Sequence, residues 1–244
     1  QDAKSVAQFI RLWLNEHGRW NAPKYLGGES YGTTRSAAVL NQLEGQYNDV
    51  ALNGVILIST VLDFGAGADT QGNEIGYALN IPSMAATALF HGKTTHPGGA
   101  AGISADARAW ASGPYLAALL KGNALSAEEH ATIRRDLARY TGLSEAFLDR
   151  ADLRVTPGRF YKELLRDRGL TVGRLDSRYT GKDADNAGSE PDNDPSFYGI
   201  DGGYTAAINA YARGDLGYKT DRSYVTIGAV GKWDWSLNAG RDSD

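Results

Sequence analysis

Apolar positions recur at helical spacing near the start of the chain. Val6, Phe9, Ile10 and Trp13 share a face and Gly18 supplies a stop, so residues 5–17 read as an amphipathic helix. Tyr25-Leu26 follows Pro23 and predicts a short strand over 24–28. Helical spacing returns over 33–47. Val55-Ile56-Leu57-Ile58 is an unbroken apolar run, which predicts a strand over 54–59 buried on both faces. The order helix, strand, helix, strand predicts a parallel sheet with crossover helices. Two strands make a poor core alone, so this layer is expected to need partners.

From Gly65 the pattern changes. Residues 65–73 and 96–102 are Gly-rich and read as loops. Helices are predicted over 83–90 and 105–121. Ser126-Ala127-Glu128-Glu129 is a capping box that opens a helix to residue 140. A helix over 143–151 follows. Thr156-Pro157 reads as an N-cap and first helical residue, starting a helix through 168. Residues 181–201 form a polar loop, 205–216 a last helix and 224–230 a short strand. The fold class expected is α/β. Residues 1–64 are assigned to part of a core layer, 65–224 to a mostly helical insertion, and 225–244 to a return toward the core.

Composition changes this picture little. The 244 residues are 42% hydrophobic and 22% charged, as in a soluble globular protein. A net charge of −4 with interspersed signs gives no footprint for nucleic acid. No apolar run approaches the ~20 residues that span a bilayer, so no membrane partner is expected. There is no cysteine, which excludes disulfide and thiol chemistry.

Chemistry enters at Gly28-Glu29-Ser30-Tyr31-Gly32. This is a G-x-S-x-G pentapeptide between a predicted strand and a predicted helix, the context of a nucleophile elbow. Such a turn is tight, and Gly28 and Gly32 are expected where a Cβ would clash. Ser30 is the candidate nucleophile. The following helix aims its positive end at Ser30 Oγ, and the backbone N–H of Tyr31 is the candidate oxyanion donor.

The surrounding words narrow the reading. Residues 18–26 (Gly-Arg-Trp-Asn-Ala-Pro-Lys-Tyr-Leu) lead into Glu29-Ser30-Tyr31-Gly32-Thr33-Thr34-Arg35. Leu52-Asn53-Gly54-Val55-Ile56-Leu57-Ile58-Ser59, the segment 165–181 and Trp233-Asp234-Trp235-Ser236 come later. Together they resemble the bacterial branch of the serine carboxypeptidases, over almost the whole chain. The resemblance implies a partial α/β-hydrolase sheet, with the elbow strand, the next strand and flanking helices, plus a helical cap. It implies release of C-terminal amino acids through an acyl-enzyme on Ser30, with no metal or cofactor. The partner is a peptide with a free C-terminal carboxylate. Glu29 and Gly28 fall on the substrate-binding side. The glutamate at this position shares a proton with a second carboxyl to hold the substrate's carboxylate, which implies activity favoured at acidic pH. An exported, periplasmic or secreted location is implied as well.

The family places its Asp and His in Tyr-Asp and Gly-His-Met segments downstream, and half of its oxyanion hole in an Asn-Gly-Gly-Pro-Gly segment upstream. None of these occurs here. The chain is therefore expected to be the middle of a larger protein, inactive alone, with the remainder of the catalytic domain as a partner. Three alternatives stay open. One is a small esterase with an internal triad of Ser30, Asp63 and His91 or His96. Another is a non-catalytic peptide-binding or assembly module. The third is a nicked two-chain enzyme.

Other residues carry weaker expectations. Arg35 is expected to pair with a buried carboxylate in a structural role. Asp183-Ala184-Asp185-Asn186-Ala187-Gly188 resembles the start of a calcium loop, but Ala187 and Asp194 depart from the required pattern, so a solvated loop is expected. Trp110, Trp233, Trp235, Tyr179 and Tyr198 could line a cleft or pack internally. His17 and His130 read as surface positions on helices.

Overall fold

The computed structural model describes residues 2–44, 49–64 and 72–225. The chain divides into two compact units, Gln1–Phe64 and Gly65–Asp244. Both expected element types are present. Among the described residues helices predominate, with two small two-stranded sheets.

The first unit has the order α1 (Asp2–Glu16), β1 (Tyr25–Glu29), α2 (Tyr31–Leu43) and β2 (Gly54–Ile58). β1 and β2 pair in parallel, with Tyr25 opposite Gly54 and Glu29 opposite Ile58. Parallel pairing requires a crossover, and α2 supplies it. Asn53 extends the pairing before the register by accepting from Lys24 N–H and donating to the Lys24 carbonyl. Ser30 N–H extends it beyond, donating to the Ile58 carbonyl at 3.0 Å.

The small core of this unit joins Ala7 and Leu14 of α1, Val39 and Leu43 of α2, and Val50, with Leu26 of β1 packed against them. The buried stripe of α1 runs through Ala3, Ala7, Ile10 and Leu14 rather than through Phe9 and Trp13. Those two, with Leu12, form a second apolar stripe that faces outward. The expectation for β2 also needs correction. Val55, Ile56, Leu57 and Ile58 are all exposed, and among the described residues only β1 pairs with β2.

The second unit is helical around one core. α3 (Ile75–Phe90) packs on α4 (Gly99–Trp110). A π-helical turn, Ala111–Tyr115, carries α4 directly into α5 (Leu116–Lys121). Then come α6 (Ala127–Thr141), α7 (Glu145–Arg150) and α8 (Pro157–Glu163). A hairpin of β3 (Leu170–Val172) and β4 (Thr180–Lys182) pairs antiparallel. It is followed by α9 (Pro195–Tyr198) and α10 (Asp201–Arg213). Ile81, Ala85, Ile103, Leu137, Leu148 and Phe160 are among the side chains that close the core.

Local signals act as the sequence suggests at several ends. Ser126 Oγ accepts from Glu129 N–H while the Glu129 carboxylate accepts from Ser126 N–H. Thr156 caps α8, with Pro157 in its first turn. Gly142 ends α6 at φ 69°. Elsewhere boundaries move. α3 begins at Ile75 and carries Pro82 in its interior. α4 starts at Gly99, inside the expected loop. α8 ends at Glu163 rather than 168. The segment expected as a strand over 224–230 lies mostly outside the described residues.

Candidate active site

The candidate site lies where β1 meets α2. Ser30 is the single residue between them, with φ 53° and ψ −124°. That combination is outside the allowed regions for a residue bearing a Cβ and costs on the order of 1–3 kcal/mol. Local hydrogen bonds hold it. Thr33 N–H and Thr33 Oγ1 both donate to the Ser30 carbonyl, at 2.9 and 2.7 Å. Thr33 is fully buried, and its Oγ1 also accepts from Val61 N–H at 2.8 Å. Thr34 Oγ1 donates to the Val61 carbonyl. The first turn of α2 is thereby tied to the segment after β2.

The strain leaves the Ser30 side chain available. Ser30 is exposed, and its hydroxyl does not cap α2. No hydrogen bond engages Ser30 Oγ among the described residues. A serine at a helix start ordinarily spends its hydroxyl on the N–H of the second or third residue. Here the backbone turns the side chain away from that use. Tyr31 is the first residue of α2, so its N–H belongs to the positive end of the helix.

Gly28 and Gly32 play different parts. A Cβ on Gly28 would lie 2.1 Å from the Gly32 carbonyl oxygen, so β1 and α2 approach each other there as only glycine permits. A Cβ on Gly32 would meet nothing within 4 Å, so that glycine is not required by space, contrary to the expectation from the motif. Glu29 is exposed at the end of β1, opposite Ile58.

One feature of the sheet escaped the sequence reading. Ser59, the residue after β2, also has positive φ, at 51°. Because Glu29 pairs with Ile58, each strand is followed by a serine of positive φ. No motif marks Ser59.

The histidines of the alternative triad are engaged within the second unit. His96 Nε2 lies 3.0 Å from Asp106 Oδ2, and Gly98 N–H donates to His96 Nδ1 at 3.1 Å. A ring that accepts at Nδ1 carries its proton on Nε2, so both nitrogens are used. His91 Nε2 donates to the Ser177 carbonyl at 2.7 Å. Asp63 also has an interaction of its own.

The remaining candidates resolve as packing or surface. Arg35 pairs with Asp2 at 2.7 Å, and both side chains are 45% exposed, so the partner is not the buried carboxylate expected. Trp110 is buried, stacked on Tyr115 with ring centroids 5.1 Å apart and tilted against Tyr140 at the same separation. Tyr179 and Tyr198 are exposed. Trp233 and Trp235 lie outside the described residues. His17 is exposed and its ring lies tilted against that of Trp13, while His130 stands 3.8 Å from Asp149.

The loop resembling a calcium site holds a cation of the chain's own. Lys162 Nζ, on α8, donates to Asp183 Oδ2 at 2.5 Å and to the Asp185 carbonyl. Asp192 N–H donates to Asp183 Oδ1, and Asp185 N–H donates to Asp192 Oδ2, each at 2.9 Å. The side chains of Lys162 and Asp183 are both only 1% exposed. Burial pushes the Asp183 carboxyl up, but the hydrogen bonds from Lys162 and Asp192 outweigh it and hold it below the usual carboxylate range. Among the described residues no group of three His, Cys, Asp or Glu side chains could hold a metal ion.

Compared with known proteins, the chain matches no family profile, no curated protein and no solved structure.

Proposed function

We propose that Ser30 is the nucleophile of a serine-type carboxypeptidase, on an elbow of the α/β-hydrolase kind, and that the helical second unit is its cap. The observation that carries this reading is the conformation of Ser30, a strained residue between a parallel strand and a helix, with its hydroxyl unspent. Strain of this kind persists only where the surrounding structure fixes it, and it clusters at functional sites.

In the proposed reaction Ser30 Oγ attacks the carbonyl carbon of the last peptide bond. The Oγ–C bond forms and the hydroxyl proton passes to a general base. The oxyanion is stabilised by the Tyr31 N–H and the positive end of α2. The C–N bond then breaks, the amine takes the proton, and the C-terminal amino acid leaves. Water next cleaves the acyl-enzyme. Glu29, with Gly28 setting its approach to α2, receives the substrate's free carboxylate through a shared proton. His91 and His96 are engaged as described, so neither is assigned as the base, and the chain alone is proposed to be nearly inactive.

The test uses exogenous imidazole in place of the base. A fluorophosphonate is expected to modify Ser30 faster when imidazole is added. A blocked dipeptide with a free C-terminal carboxylate should slow the modification, and its C-terminal amide should not. Glu29→Ala should erase that difference. Equal protection by acid and amide would argue against a carboxypeptidase and leave Ser30 as the nucleophile of another acyl transfer.

A further inference from the structure

The second unit contains a cavity of about 270 Å³ whose walls carry an excess of positive charge. α7 contributes Phe147 and Arg150, with Ala151 just beyond its end. α8 contributes Arg159 and Glu163, and the turn after it contributes Arg166. Three arginines and one glutamate thus line the cavity.

That carboxylate is already committed. Arg166 Nε donates to Glu163 Oε2 at 2.5 Å, while its other nitrogens donate to the carbonyls of Asn186 and Gly188. Arg166 therefore braces the 186–188 loop and neutralises Glu163. The nearby acids of α7 are committed as well. Glu145 and Asp149 both bind Arg134, at 3.0 and 2.9 Å. Glu190 lies against the Gly158 backbone, where a Cβ would come within 1.6 Å of its Oε2, and among the described residues it forms no ion pair with Arg150 or Arg159.

Arg150 and Arg159 are what remains. Among the described residues neither guanidinium has a hydrogen-bond or ion-pair partner. Two unneutralised forks on separate helices, beside the aromatic ring of Phe147, match an anion that can accept from both at once. A lysine pair would attract charge without this geometry. The volume suits a small molecule rather than a chain segment.

We propose that this cavity binds a small organic dianion. Its oxyanion head bridges Arg150 and Arg159, and its apolar body rests on Phe147 and Ala151. The inference does not depend on the role assigned to Ser30. The shared chemistry of the head is met by a phosphate monoester or by paired carboxylates, and the test separates them.

The full chain is titrated by calorimetry with inorganic phosphate, phenyl phosphate and phthalate. Saturable one-to-one binding is expected, with phenyl phosphate or phthalate tighter than inorganic phosphate. A preference for phenyl phosphate assigns a phosphate ester, and a preference for phthalate a dicarboxylate. Arg150→Gln/Arg159→Gln should weaken binding by about tenfold or more, and Arg135→Gln, on the exposed face of α6, should not. In nuclear magnetic resonance spectra, the Nε–H signals of Arg150 and Arg159 should shift with ligand while that of Arg135 stays in place. Both arginines are exposed and unpaired, so the double variant should melt like the parent. No saturable binding of any of the three anions, or binding unchanged in the double variant, overturns the proposal.

Discussion

Gly28 passes so close to Gly32 that a Cβ on the first would lie 2.1 Å from the carbonyl oxygen of the second and 2.4 Å from its carbon. Both atoms are backbone in the first turn of α2, so they cannot yield without shifting the helix. Gly28→Ala should therefore destabilise the first unit by about 1–3 kcal/mol. Gly32→Ala, with open space around the new methyl and a place within a helix, should be neutral or stabilise by up to about 1 kcal/mol. Urea unfolding of the two variants measures the contrast, and equal effects would contradict this account of the elbow.

Ser30 makes a second stability prediction. At φ 53° and ψ −124° alanine gains nothing over serine, but glycine escapes the steric cost. Ser30→Gly should be more stable than Ser30→Ala by about 1 kcal/mol, with both variants losing the proposed nucleophile. Equal midpoints in denaturant would mean that the turn is not strained.

The capping box at α6 gives a pH dependence. Hydrogen bonds from Lys121 and then from Ser126 hold the Glu129 carboxyl at about 2, below its reference of 4.5. A depressed carboxyl favours folding above its unfolded value, and the contribution is lost as pH falls through the folded one. Stability should therefore drop between pH 4.5 and about 2. Glu129→Gln should flatten the part of that drop owed to this residue. Thermal melts across the window read it directly.

Lys162 and Asp183 form a buried pair. Lys162→Met would strand the Asp183 carboxylate among buried groups and should cost about 3–5 kcal/mol. The double variant Lys162→Met/Asp183→Asn removes the stranded charge and keeps an oxygen for Asp192 N–H, so it should cost less than the single one. A double variant worse than Lys162→Met would show that the charge itself is not the problem.

The parts of this molecule that could be read from sequence are those fixed by near neighbours. The capping box at Ser126, the N-cap and proline at Thr156-Pro157 and the strand–serine–helix order around Ser30 all depend on residues within a few positions. The first half of α3 has no clear local signal, because a proline normally breaks a helix and Pro82 sits inside this one. The hairpin of β3 and β4 was missed because each strand has three residues, too few for an alternating pattern. The exposure of Val55 to Ile58 could not be read at all, since burial depends on what packs against a strand rather than on its own composition. The pairing of Lys162 with a carboxylate twenty-one positions away and the gathering of Arg150, Arg159 and Arg166 around one cavity are tertiary facts with no local signature.

The central claim is that Ser30 is poised as a nucleophile. Intact-mass spectrometry after treatment with a fluorophosphonate and imidazole tests it most directly. The account predicts one added phosphonyl group on the parent chain, mapped to Ser30, and none on Ser30→Ala. An unmodified parent chain, or equal modification of both, would contradict it.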